Sequence, residues 1–190
     1  MAATVAVHYW NGGSDGSPTS SADTSLRFRT DDSPGLRDAT NPCVVPSSGT
    51  QSSYWMHVAL DITGAFTQID NIRHYTDGAI AWTLGTDGKV LRGDRDAGDK
   101  GVAAASYVKA GGTAGTAGSY IKADHTFYSG QTTKAKDITA DTSGSAPVID
   151  SSTIVAAGSS KAIVLQAVID DDATQGAQAA ETFTWMYDEI

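Results

Sequence analysis

Apolar and polar residues alternate with period two in several short stretches, and clusters of Gly, Ser, Thr, Asp and Pro separate them. That is the pattern of short antiparallel strands joined by turns. From Tyr54 to Ile62 the residues Met56, Val58, Leu60 and Ile62 fall on one side and His57 and Asp61 on the other, so the spacing predicts a strand with one wet face. From Phe66 to Tyr75 a second strand is expected, with Ile69, Arg73 and Tyr75 on one face and Phe66, Ile72 and His74 on the opposite one. Lys161 to Ile169 (KAIVLQAVI) is apolar on both faces. It reads as a central strand, covered on both sides by its own domain or by a neighbouring subunit. Thr182 to Tyr187 sets Phe183, Trp185 and Tyr187 on one side against Thr184 and Met186 on the other, an aromatic stripe suited to a closing strand.

Further short strands are predicted at Leu26 to Arg29, Ile80 to Leu84, Lys89 to Arg92 and Val148 to Val155, with Thr86-Asp87-Gly88 as a hairpin turn between the second and third of these. Between Gly93 and Ser160 the alternation fades into Gly-, Ala-, Thr- and Ser-rich sequence. Ala110 to Ser119 (AGGTAGTAGS) offers little apolar surface to offset the entropy of ordering it. It reads as loop, and deleting it is expected to leave folding intact. A chain of 190 residues accommodates one such domain. The expectation is a single all-β domain over residues 1–190, an antiparallel β-sandwich for which a jelly roll is one form, with a loop-rich insertion around 93–160.

Composition narrows the partners. With 13 basic and 22 acidic residues the net charge is −9, which repels phosphate backbones, so nucleic acid is not expected as a partner. No apolar run approaches the roughly 20 residues that span a bilayer, which argues against a membrane partner. Met1 to Trp10 lacks a basic leader and a long apolar segment; its Val5-Val7-Tyr9 alternation reads as a strand, and release by lysis or a dedicated machine is expected over secretion. Cys43 stands alone, which rules out an intramolecular disulfide framework and reads as a small hydrophobe.

Several motifs touch on chemistry. Gly12-Gly13-Ser14-Asp15-Gly16 matches G-x-S-x-G, but Ser17-Pro18-Thr19-Ser20 follows it and no helix does, so it lacks the strand-to-helix elbow a nucleophilic serine needs. His8, His57, His74 and His125 are scattered singly, without spacing for a shared metal on a helix. Asp94, Asp96 and Asp99, around Gly98, form the better calcium candidate, because alternating carboxylates offer hard oxygens; the stretch lacks the EF-hand landmarks at Gly98, Asp99 and Ala105. Asp170-Asp171-Asp172 is a weaker candidate of the same kind. Arg92-Gly93-Asp94 spells the integrin tripeptide, and Gly85-Thr86-Asp87-Gly88-Lys89 is an incomplete phosphate loop. Trp10, Trp55, Trp82 and Trp185 suit core or interface packing, with a sugar-stacking platform as the alternative. Nothing assembles an acid, a base and a nucleophile, so no catalytic residue and no cofactor is expected.

Three stretches carry a resemblance: Asn41 to Trp55 (NPCVVPSSGTQSSYW), Gln68 to Val90 (QIDNIRHYTDGAIAWTLGTDGKV) and Glu181 to Ile190 (ETFTWMYDEI). Together they resemble virion structural proteins of tailed phages and environmental viruses. The resemblance covers about a quarter of the chain and implies a β-sandwich that attaches to a capsid or tail. It implies no catalytic residue. The expected function is an outer capsid decoration, or cementing, protein on the virion surface, made in the host cytoplasm, with copies of itself and a major capsid or tail protein as partners. A tail, tube or fibre subunit is the alternative, and a carbohydrate-binding or adhesive module with a glycan partner the second. Trp185, Tyr187 and Ile190 are the candidate subunit interface, and the Gly/Ala/Thr-rich loops are expected to extend as arms over neighbours.

Overall fold

The computed structural model describes residues 2–22, 25–33, 40–133 and 135–190. Its strands are β1 (Ala3–Ser14), β2 (Ser17–Ala22), β3 (Thr50–Ser52), β4 (Met56–Gly64), β5 (Ile69–Thr76), β6 (Lys89–Arg92), β7 (Gly112–Thr113) and β8 (Ala117–Gly118). After them come β9 (Lys136–Asp137), β10 (Val148–Asp150), β11 (Gly158–Ser159), β12 (Ile163–Asp170) and β13 (Phe183–Glu189). A single turn of helix, α1 (Ile121–Asp124), and two short 3-10 turns complete it. The fold is almost all β, with antiparallel sheets packed together as a sandwich.

The large sheet runs β2-β1-β4-β12-β6-β9, with β11 added on β4 and β3 on β12. The second sheet has the order β10-β5-β13. Strand β12 sits where the sequence places it: every residue is buried, and it pairs with β4, β6 and β3. Its two faces bury different things. Ile163 and Leu165 join Tyr9, Met56, Val58 and Val90 in a core shared with Phe183 and Trp185 of the small sheet. Val164 and Val168 face the other way, into a cluster with Trp55, Leu91, Val102, Ala110, Ile121, Tyr128 and Ala135.

That second cluster corrects the reading of residues 93–160. Val102, Tyr107, Ala110, Ile121 and Tyr128 turn inward and cover the back of the large sheet, so the stretch is a layer of the domain's own core and not a set of arms. Its small residues are what close approach requires. A Cβ on Gly118 would lie 2.1 Å from the Ser53 carbonyl oxygen, and one on Gly112 would lie 2.2 Å from the Tyr54 ring, separations that no side chain tolerates. Low hydrophobicity here reflects backbone seated on backbone, and a side-chain pattern cannot report it.

Six other expectations change. His57 is fully buried beneath this cover, although Asp61 on the same face is half-buried; a wet side exists only toward the end of β4. In β5, Asn71 adopts a left-handed φ of 55° at a register shift against β13. This bulge reverses the alternation, so Ile69 and Ile72 enter the same cluster. Residues 80–84 form no strand, because side chains take their backbone groups: Glu181 accepts from the Ala81 N–H and Gln178 from the Thr83 N–H. The turn at 85–88 closes through Gly88 N–H to the Gly85 carbonyl, yet it leads into β6, which pairs with β12 and β9. Residues 26–28 likewise form no strand, with Arg29 making an isolated bridge to Pro42. The stretch 148–155 is a strand only as far as Asp150, whose carboxylate accepts from Ser152 and Lys161 N–H groups, after which Ile154 bridges Ile69 alone.

Candidate functional site

The three carboxylates proposed for calcium are drawn apart by separate partners. Asp94 is buried near Arg92 (3.9 Å) and Lys100 (3.6 Å); burial pushes its carboxyl up against the pull of both cations. Hydrogen bonds from Thr133 above all, and then from the N–H and hydroxyl of Thr132, hold Asp96 below the ordinary carboxylate range. Asp99 accepts from Lys161 Nζ at 2.5 Å and from Ser151. Burial raises its pKa, and these bonds outweigh burial and lower it. Among the described residues, the group of three carboxylates whose oxygens lie within 4.8 Å of one another is Asp170, Asp171 and Asp172. Their oxygens are occupied locally: Asp170 accepts from Asp87 N–H, Asp171 from Gly49 N–H, and Asp172 from the N–H and hydroxyl of Thr86. They fasten turns to the end of β12.

The remaining motifs resolve into structure. Gly12 to Gly16 is the bend joining β1 to β2, where Ser14 faces Ser17 and the Asp15 carboxylate accepts from Lys109 N–H. Arg92 and Asp94 are both buried, so the tripeptide around Gly93 is not displayed. Cys43 is half-buried and in no disulfide. Trp10 and Trp55 lie in the core and Trp82 is half-buried with its Nε1–H donated to the Ala179 carbonyl, which leaves no coplanar row of exposed tryptophans among the described residues. No helix of these residues is long and apolar enough to cross a membrane.

The candidate interface divides. Trp185 and Tyr187 pack inward on Leu60, Ile62, Ile69 and Ile72, whereas Ile190 is 70% exposed beyond a backbone pair with Gln68. The two aromatics are partly buried against the chain's own core.

No family model, curated protein or solved structure matches the chain.

What distinguishes β13 is its outer edge. It pairs with β5 on one side, and among the described residues no strand pairs with it on the other. Three other sheet margins are protected among the described residues. β2 carries Pro18 and small polar residues, β9 is two charged residues, and β10 has Lys100 and Gly101 N–H groups donating to its carbonyls. Among the described residues no strand pairs with the outer side of residues 3–7 of β1, a shorter margin where Ala3 N–H donates to Glu189 Oε1. Over Phe183 to Tyr187, β13 has none of the Lys, Pro or Gly residues that discourage edge pairing.

Two buried polar constellations are absent from the sequence reading because their members are far apart in the chain. His57 and His125 meet through their Nε2 atoms at 3.1 Å, walled by Trp55, Tyr107 and Tyr128. Phe127 N–H donates to His125 Nδ1, so the His125 proton resides on Nε2 and is donated to His57 Nε2. Arg92, fully buried between the sheets, donates to Asp141 at 2.9 Å, and Lys136 reaches the other Asp141 oxygen at 3.0 Å. Replacing Asp141→Ala removes the hydrogen-bonded partner and leaves the buried guanidinium with Asp94 at 3.9 Å. The expected loss is about 3–5 kcal/mol in urea unfolding, and a loss below about 1 kcal/mol would contradict this account of the pair.

Proposed function

We propose that the protein is a non-enzymatic structural subunit of a larger assembly, and that the assembly is the outside of a tailed-virus head. The observation that carries the first half is the edge of β13: seven residues of aromatic-rich strand with one side open, the feature that isolated proteins suppress and assembling ones use. The likeness of 41–55, 68–90 and 181–190 to virion structural proteins supports the second half. The acidic charge of −9 suits a position away from packaged nucleic acid. A cementing role follows thermodynamically, because a subunit that binds only the assembled shell stabilises it by mass action, and many symmetric copies multiply a modest contact energy. A tail, tube or fibre position would use the same edge.

The test is co-sedimentation of the purified chain with assembled heads and with their unassembled capsid subunits. Retention by heads, together with a higher temperature of head disruption, is the expected result. Equal binding to unassembled subunits, or no binding to any virion part, contradicts it.

A further inference from the structure

Strand β13 is joined to the centre of the molecule by a tether fastened only at the surface. Residues 171–182 connect the end of β12 to the start of β13, and none of them is buried. What holds them is a row of hydrogen bonds at the surface: Asp171 with Gly49 N–H, Asp172 with Thr86, Thr174 N–H with the Thr83 carbonyl, Gln178 with Thr83, Glu181 with Ala81 N–H, and the Ala179 carbonyl with Trp82. Gly176, at a φ of 120°, marks a pivot where a side chain would be strained. Fully extended, twelve residues span roughly 40 Å. The strand itself is well seated, with its backbone laddered on β5 and Phe183, Trp185 and Tyr187 set into the core. A strand with a specific slot and a long, weakly held tether is the architecture that permits exchange between copies.

We propose that β13 is exchangeable, filling the same slot along β5 of a second copy of this chain to give a two-fold dimer. The complementarity needed is already on view, since the exchanged strand makes the contacts it makes within one chain. Closed and exchanged forms then differ in the tether, in the entropy of association, and in the repulsion between two chains of charge −9. Exchange is therefore favoured by high protein concentration and by salt. The inference rests on the fold alone and holds whether or not the virion reading does.

Thr184 faces Tyr75 across the ladder. In a Cys43→Ser background, one preparation carries Tyr75→Cys and another Thr184→Cys. They are mixed at high concentration and salt, warmed or held in mild urea to loosen β13, returned to native conditions and oxidised. The expected product is a heterodimer crosslinked between positions 75 and 184, its yield rising roughly in proportion to concentration at low conversion. A chain carrying both cysteines, kept dilute, closes an internal crosslink and so reports that the variants fold. Should that pair not fold, Arg73→Cys with Met186→Cys, the neighbouring pair on the same face, replaces it. Absence of heterodimer while the internal crosslink forms overturns the proposal. So does a heterodimer that appears at once on mixing folded chains, because that would report an encounter without exchange.

Discussion

A chain lacking residues 110–119 is expected to lose cooperative folding near neutral pH. This segment supplies the Ser119 carbonyl, which accepts from Trp55 Nε1 at 2.7 Å and from Gln166 Nε2 at 2.8 Å. It also lays β7 and β8 over Tyr54 and Ser53. Each buried donor left unpaired costs about 1–3 kcal/mol, and uncovering Tyr54, Trp55 and Val168 forfeits a further ~1.5–3 kcal/mol for each fully exposed side chain. The total is of the order of 6–15 kcal/mol if all three side chains are exposed, against a whole-domain stability of about 5–15 kcal/mol. The urea transition followed by tryptophan fluorescence should shift to far lower denaturant or vanish. An unchanged midpoint would show that the segment is a dispensable loop.

Acid should unfold the protein over an unusually high pH window. Burial lowers the pKa of His125 to about 4, and burial together with Arg92 lowers that of His74 to about 3. In the unfolded chain both titrate near 6.5. Between those limits the unfolded state binds more protons than the folded one, so stability is fully present above pH ~6.5 and declines as pH falls toward 4 and then 3. At 1.36 kcal/mol per unit, the loss is on the order of 3 kcal/mol from His125 and about 5 kcal/mol from His74. Geometry gives the reason at His125: its Nδ1 and the His57 Nε2 already accept hydrogen bonds, so a further proton displaces one of them. Carboxylates held low, such as Asp99 and Asp172, add to the loss only below about pH 4. Stability measured by urea unfolding from pH 8 to pH 4 should fall from pH 6.5 downward, and His125→Phe should flatten part of that slope. A plateau extending to pH 4.5 would contradict it.

What the sequence disclosed follows from what its alternation encodes. The double-sided apolar run at 161–169 marks the central strand, and the stripe Phe183, Trp185, Tyr187 marks an edge strand with one face in the core, because in both cases side chains determine the packing. Residues 93–135 stayed illegible for the opposite reason. Their cover is built from dispersed anchors such as Val102, Ile121 and Tyr128, and from glycine backbone against Ser53 and Tyr54, which leave no period. The bulge at Asn71 defeats a strict period of two by a single residue. The site candidates failed on distance in the chain. Asp94, Asp96 and Asp99 are neighbours in sequence that find partners at 92, 132 and 161, whereas His57 and His125 are 68 residues apart and touch. Proximity of ligand types in the chain is weak information when each has a closer donor in the fold.

The proposed role makes this sandwich a subunit built to be covered by others. Electron cryomicroscopy of the particles that carry it, and of the purified chain at high concentration, tests this most directly. The predicted result is density fitting the sandwich on the outside of an icosahedral head; a tube, ring or fibre would keep the structural role and move its place to the tail. Particles with no such density, together with a purified chain that stays monomeric with the β13 edge in solvent, would contradict it.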